Sequence, residues 1–252
     1  MPTIGAILNS LEKLAPPEAK MDFDNVGLLA GDPEWNIQRI MLSLDITSAA
    51  IREAEECGAG LIVSHHPLFF DLKSATPETE GGKHLLELLT RRIGAVCMHT
   101  NLDAADGGVN DALAAVLRLQ DARPFEPAHI LRMGYLDKEM ALDAFLGELK
   151  TALRCEGLRY TGSKPVYRVA VGGGSCGSML DEVIKAGCDT FITADIKYDV
   201  FLRASELEIN LIDAGHYHTE NVVIPTLKSW LSREFPDLVI RISSHHAPEH
   251  YC

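Results

Sequence analysis

Apolar and polar positions alternate along this chain in two distinct rhythms. Ile4, Ile7, Leu8, Leu11 and Leu14 recur at helical spacing with charges between them, which predicts an amphipathic helix at the N-terminus. Short, wholly apolar runs then alternate with helical stretches. Arg39 to Asp45 (RIMLSLD) reads as a strand, Ser48 to Glu56 as a helix closed by Gly58, and Leu61 to Ser64 (LIVS) as a strand buried on both faces. His84 to Arg92 reads as a helix, Ala95 to Met98 as a strand and Val109 to Leu117 as a helix. After them come a helix over Ala141 to Ala152, a strand over Tyr167 to Val171 and a helix over Met179 to Lys185. Strands over Phe191 to Thr193 and Asn210 to Ile212, a helix from about Pro225 to Leu231 and a strand over Asp237 to Ile242 complete the series. Strands alternating with helices predict an α/β protein.

Residues 119–130 (LQDARPFEPAHI) carry two prolines and no period, so a domain boundary is expected there. That divides the chain into halves 1–125 and 126–252, with the C-terminal helix and strand packing back on the first half. The halves resemble each other. At one constant offset Arg39 aligns with Arg168, Glu53 with Glu182 and Gly58 with Gly187, and LIVS falls over TFIT without a gap. An internal duplication accounts for this match. It would let the carboxyl ends of strands from both halves face one cleft, where α/β sheets bind ligands.

Three motifs carry candidate chemistry. VSHHPLF places His65 and His66 at the end of a buried strand. Two adjacent rings there suit two neighbouring metals, and the bland alternative is a pair of satisfied buried histidines. MHTNLDAADGG places Asp103 after the next strand as a ligand or base. Here Asp106-Gly107-Gly108 also makes a good turn, and Asn110 or Asp111 is available to cap the following helix. DAGHYHTEN sets His216 and Glu220 four residues apart, on one face of a helical turn, where an exposed polar turn is the alternative. Three imidazoles and two carboxylates suit two divalent ions drawn from Zn, Mn, Fe, Co or Ni. Such ions would share Glu220 and a bridging hydroxide that acts as nucleophile.

Gly172 to Gly177 matches a GxGxxG pattern with Asp195 at the end of the next strand. Its late position argues for packing or for approach to a substrate phosphate rather than for dinucleotide binding. His245, His246 and His250 lie in the C-terminal tail and read as surface residues.

Composition narrows the partners. With 23 Lys and Arg against 36 Asp and Glu, the net charge of -13 disfavours nucleic acid. A small anionic or nucleotide-like substrate stays open, because bound metal reverses the local sign. The six cysteines form no CxxC pair and read as reduced thiols. No apolar run nears the ~18 residues a bilayer span needs, so a cytoplasmic protein with no membrane association is expected.

The motifs DFDNVGLLAGD, LIVSHHPLFF, HTNLDAADGGVND, GGGS, TADIKYD and GHYHTE occur in order over nearly the whole chain. In this the chain resembles the GTP cyclohydrolase 1 type 2 homologues, or Nif-three-like proteins. The resemblance implies two intertwined α/β halves with mixed sheets and a di-metal site in the cleft between them. It implies a toroidal homohexamer in which His65, His66, Asp103, His216 and Glu220 are ligands and Glu220 bridges. It implies a metal-dependent hydrolase with Glu220 catalytic, and Lys197, Tyr198 and the Gly172–Gly174 loop are then candidates to face an anionic substrate. A non-catalytic scaffold or metal-handling protein acting through partners is the alternative. The chain departs from the family pattern at Phe23, commonly Trp, at Ala194, usually Gly, and at Tyr198-Asp199.

Overall fold

The structure is a computed structural model describing residues 1–244 and 246–248. The tail residues His245, His250 and Cys252 lie outside the described residues, and His246 is exposed. The chain forms two compact units. The first spans Met1–Asp106 together with the stretch from Ile224, and the second spans Gly107–Val223.

The first unit runs α1 (Ile4–Leu14), β1 (Gly27–Ala30), β2 (Arg39–Ser43), α2 (Ser48–Glu56), β3 (Leu61–Ser64), α3 (Glu80–Thr90), β4 (Gly94–Cys97) and α4 (Thr100–Ala104). The second runs α5 (Val109–Val116), β5 (Gln120–Pro124), β6 (Arg132–Met140), α6 (Leu142–Leu153), β7 (Arg159–Thr161), β8 (Val166–Val171) and α7 (Leu180–Lys185). It continues through β9 (Thr190–Thr193), α8 (Tyr198–Glu206), β10 (Asn210–Asp213) and α9 (His216–Glu220). The chain then returns to the first unit as α10 (Ile224–Glu234) and β11 (Val239–Ile242). No helix among the described residues is long and apolar enough to cross a membrane.

Each unit is built on a mixed sheet. In the first the order is β1-β4-β3-β2-β11, with β1 antiparallel to β4 and the remaining pairs parallel. In the second the order is β5-β6-β8-β9-β10-β7, and β8, β9 and β10 run parallel. Leu61, Ile62 and Val63 are fully buried, as a parallel strand covered on both faces requires. Each such side chain contributes about 1.5–3 kcal/mol.

Local chemistry sets the helix ends. Thr47 accepts from Ala50 N at 3.1 Å to start α2, and Ala50, Ile51 and Ala54 face the core. Gly58, at φ +70°, supplies the left-handed turn that ends it.

Residues 119–130, expected to be irregular, contain β5. It is an edge strand pairing only with β6, its residues are mostly exposed, and Pro124 ends it. An edge with no buried face has no alternation to read. In β6 the fully buried Arg132 pairs with Asp111 at 2.6 Å, so a charge interrupts the apolar pattern. Neither Asn110 nor Asp111 is the N-cap of α5, which is Gly108. Among the described residues, Cys57, Cys97, Cys155, Cys176 and Cys188 form no disulfide.

One buried carboxylate pins the segment before β1 in the first unit. Asp24 accepts from Thr100 N at 2.9 Å, from His99 Nδ1 at 2.8 Å, from its neighbour's backbone Asn25 N at 2.8 Å and from Thr100 Oγ1. Burial works to raise this carboxyl, but the hydrogen bonds from His99 and Thr100 outweigh it and hold it well below the usual carboxylate range. Burial also lowers His99 against the pull of Asp24, so a neutral ring donates Nδ1–H to the carboxylate. A depressed carboxyl stabilises the fold above the ordinary carboxylate range and loses that contribution as the pH falls. Asp24→Asn is therefore expected to cost about 2 kcal/mol at pH 7. In urea unfolding the deficit should hold down to about pH 4 and shrink below it. A deficit that grows on acidification would contradict this.

Candidate metal centre

The parallel strands of the first unit are in register at Ser43, Ser64 and Cys97. The residues just beyond them, Asp45, His65, His66 and His99, therefore gather at one row of carboxyl ends. One ring nitrogen from each of His65, His66 and His99 lies within 4.8 Å of the others. The ring centroids are 5.1–5.6 Å apart. The short helix α4 turns Asp103 back toward them, with Oδ1 3.5 Å from His65 Nε2. His65 is fully buried.

The imidazoles are held from behind. His65 Nδ1 lies 2.9 Å from Met98 O, His66 Nδ1 2.7 Å from Asp45 Oδ1, and His99 Nδ1 2.8 Å from Asp24 Oδ1. These oxygens assign the Nδ1–H tautomer and leave the Nε2 lone pair forward. Behind His65, the Cys97 thiol donates to His65 O at 3.0 Å. Burial, together with the Asp24 and Asp103 carboxylates, pushes this thiol up, so it stays protonated.

The second unit builds a comparable arrangement. Gly215, at φ +81°, turns the chain out of β10 into α9. One helical turn then sets His216 Nε2 3.0 Å from Glu220 Oε2. His216 Nδ1 lies 2.7 Å from Asp195 Oδ2. Glu220 is 3% exposed.

The glycine-rich loop after β8 packs against this pair. A Cβ on Gly174, itself at φ +64°, would stand 2.1 Å from Glu220 Oε1 and 3.2 Å from His216 Cε1. One on Gly173 would stand 3.2 Å from Glu220 Cγ. Four of the loop's amides are used internally. Gly172 N donates to Ile192 O, Gly173 N to Asn110 Oδ1, Gly174 N to Thr219 Oγ1 and Cys176 N to Thr193 Oγ1. Those four donors are committed to side chains and to β9, and the loop forms a cradle for Glu220. Lys197 and Tyr198 open α8, where Tyr198 is 81% exposed.

With Nδ1 protonated, His65 Nε2 and Asp103 Oδ1 are electron-pair donors facing each other, as are His216 Nε2 and Glu220 Oε2. A divalent cation suits both arrangements, and imidazole with carboxylate is the donor set of Zn, Mn, Fe, Co and Ni. The sequence motifs supply His65, His66, Asp103, His216 and Glu220. The MHTNLDAADGG motif holds His99 without giving it a ligand role, and the motifs do not single out Asp24, Asp45 or the contact Asp195 makes with His216. A signal was present, since Asp45–His66 and Asp195–His216 are each 21 residues apart. Each acid follows the strand that precedes, and lies beside, the strand leading to its histidine.

The sequence profile of the Duf34/NIF3 (NGG1p interacting factor 3) family matches residues 2–248. A Clostridium perfringens protein named GTP cyclohydrolase 1 type 2 homolog is 37% identical over 223 residues, 85% of each chain. One of the same name from Clostridium acetobutylicum is 35% identical over 234 residues, 88% of this chain and 87% of that one. Among solved structures, Staphylococcus aureus protein SA1388 superposes with a TM-score of 0.90 at 26% identity over 99% of both chains. Reduced HcgD from Methanocaldococcus jannaschii superposes with a TM-score of 0.85 at 28% identity, over 96% of this chain and 98% of that one. Fold, motifs and matched length agree: the chain belongs to the Duf34/NIF3 family.

Proposed function

We propose that His65, His66, Asp103, His216 and Glu220 together hold two divalent metal ions and that the protein is a metal-dependent hydrolase. The observation that carries this reading is the oxygen behind each imidazole: Met98 O, Asp45 and Asp195 fix the Nδ1 side of His65, His66 and His216. Carboxylates and carbonyls behind ring nitrogens orient a ligating histidine and raise its basicity. Such ions, when bound, supply Lewis acidity and make water acidic enough to attack near neutral pH. This chain's own part is to orient the rings, hold Glu220 against Gly174, and present Lys197 and Tyr198 to a small anionic or nucleotide-like substrate. The relatives' name, GTP cyclohydrolase 1 type 2 homolog, supports a nucleotide.

The same reading takes the two units as copies of one strand–helix–strand framework. In support, a Cβ at Gly58 would come within 3.0 Å of Arg39 Nη1, and one at Gly187 within 3.2 Å of Arg168 Nη1. The resemblance to the family extends the proposal to a toroidal homohexamer in the cytoplasm.

Elemental analysis of purified protein should find about two divalent ions per chain, the number a shared two-metal site holds. Glu220→Gln should lower that content and abolish metal-dependent turnover with the circular dichroism unchanged. Metal-loaded protein inert toward nucleotides, phosphoesters and amides would instead favour a metal-handling role. Removing the oxygen behind a ring is expected to act at a distance. Asp195→Ala should weaken metal affinity by roughly 10–100-fold, and Gly174→Ala should do likewise by displacing Glu220. Unchanged affinity in both variants would remove the basis for assigning ligation to His216 and Glu220.

A further inference from the structure

Two exposed aromatic rings border the histidine cluster of the first unit. Phe23 is 63% and Phe70 55% exposed, in a chain with only 6% aromatic residues. Single exposed apolar side chains are ordinary, but these two touch. Their centroids are 6.1 Å apart with planes at 52°. Phe70 in turn lies 5.8 Å from the His99 ring, whose centroid is 5.2 Å from His65 and 5.6 Å from His66. A continuous run of rings thus leads from solvent to the candidate ligand nitrogens.

Both loops are fixed at the backbone. Phe23 precedes the Asp24 anchor, and Met21 N donates to Thr100 Oγ1 at 2.9 Å. Asn25 Nδ2 donates to Phe69 O at 2.9 Å, tying the Phe23 loop to the Phe70 loop. At Gly81 a Cβ would stand 3.0 Å from Phe69 Cβ, so α3 also packs closely on this loop. Rings held this way lose little further freedom when a ligand covers them.

We propose that Phe23 and Phe70 form an aromatic ledge that seats the planar heterocyclic ring of the molecule handled at His65, His66 and His99. The inference deepens the metal-dependent reading above and rests on it for the identity of the neighbouring site. A ring, rather than a phosphate, is the part seated here. Exposed Asp22 precedes Phe23 and exposed Asp71 follows Phe70, so this edge is anionic and repels phosphate, whereas a π-face stacks on any planar base. An uncharged purine nucleoside has the required chemistry.

The test titrates the full-length protein, metal-loaded and metal-stripped, against 2-aminopurine riboside, following the quenching of its fluorescence, with ribose 5-phosphate as competitor. Wild type should bind the nucleoside, and ribose 5-phosphate should compete poorly. Phe70→Ala and Phe23→Ala should each weaken binding by roughly tenfold, in line with the loss of one stacking face. Phe70→Leu, which keeps apolar bulk without a π-face, should weaken it comparably, and Phe70→Tyr should retain it. Metal content should be unchanged in all four. No binding by wild type at millimolar nucleoside, or equal binding by wild type and the alanine variants, would overturn the proposal. So would variants that change the sedimenting mass but not nucleoside binding, since the ledge would then be a contact between copies of the chain. Nucleoside binding that persists in protein unable to load metal would leave the ledge standing and sink the metal reading alone.

Discussion

A histidine at the end of a β-strand can swing through many rotamers, and a loose imidazole is a poor ligand. The constraint that organises this molecule is the oxygen placed behind each ring. Met98 O, Asp45, Asp24 and Asp195 occupy the Nδ1 positions of His65, His66, His99 and His216. Those contacts select one tautomer and aim Nε2 forward. They require parallel strands in close register. Only then does the acid beyond one strand reach the ring beyond its neighbour, as Asp45 beyond β2 reaches His66 beyond β3.

The rest of each unit serves that register. The apolar runs of β2, β3 and β4 bury both faces, so a slip of one residue would turn every side chain to the opposite face. Left-handed residues at Gly58 and Gly187 end the helices and return the chain to the sheet. Gly215 turns the chain out of β10, and Gly174 lets the backbone approach Glu220 more closely than any side chain would allow. Buried thiols such as Cys97 stay neutral and act as weak donors.

Asp24 links this inner row to the molecule's surface. It holds His99 from behind while its neighbours Phe23 and Asn25 reach outward. One buried carboxylate thereby positions a histidine, the entry to α4 and the loop carrying an exposed ring. Orientation of the nitrogens and presentation of the aromatic ledge share one anchor.

The sequence by itself determined much of the framework. Continuous apolar runs with glycine stops are local signals, and β2, β3, β4, β8, β9 and β10 fall within a residue or two of where those signals put them. His65, His66, Asp103, His216 and Glu220 stand out as candidate donors in the sequence because each follows such a run or sits at helical spacing. Tertiary structure alone decided the rest. Strands β1, β5, β6 and β7 are antiparallel additions whose stability comes from a partner's backbone rather than from their own pattern. Helices α4 and α9 are too short to show a period, and in α8 only Ala204 is buried. The sequence places His99 in a motif but carries no sign of its partner, because Asp24 is 75 residues away. The glycine loop could be read from sequence as packing or as a phosphate approach, and only folding shows its amides at Gly173, Gly174 and Cys176 bound to Asn110, Thr219 and Thr193. Spacing along a chain records which residues share a strand or a helical turn, and only the packed sheet records which oxygen stands behind which ring.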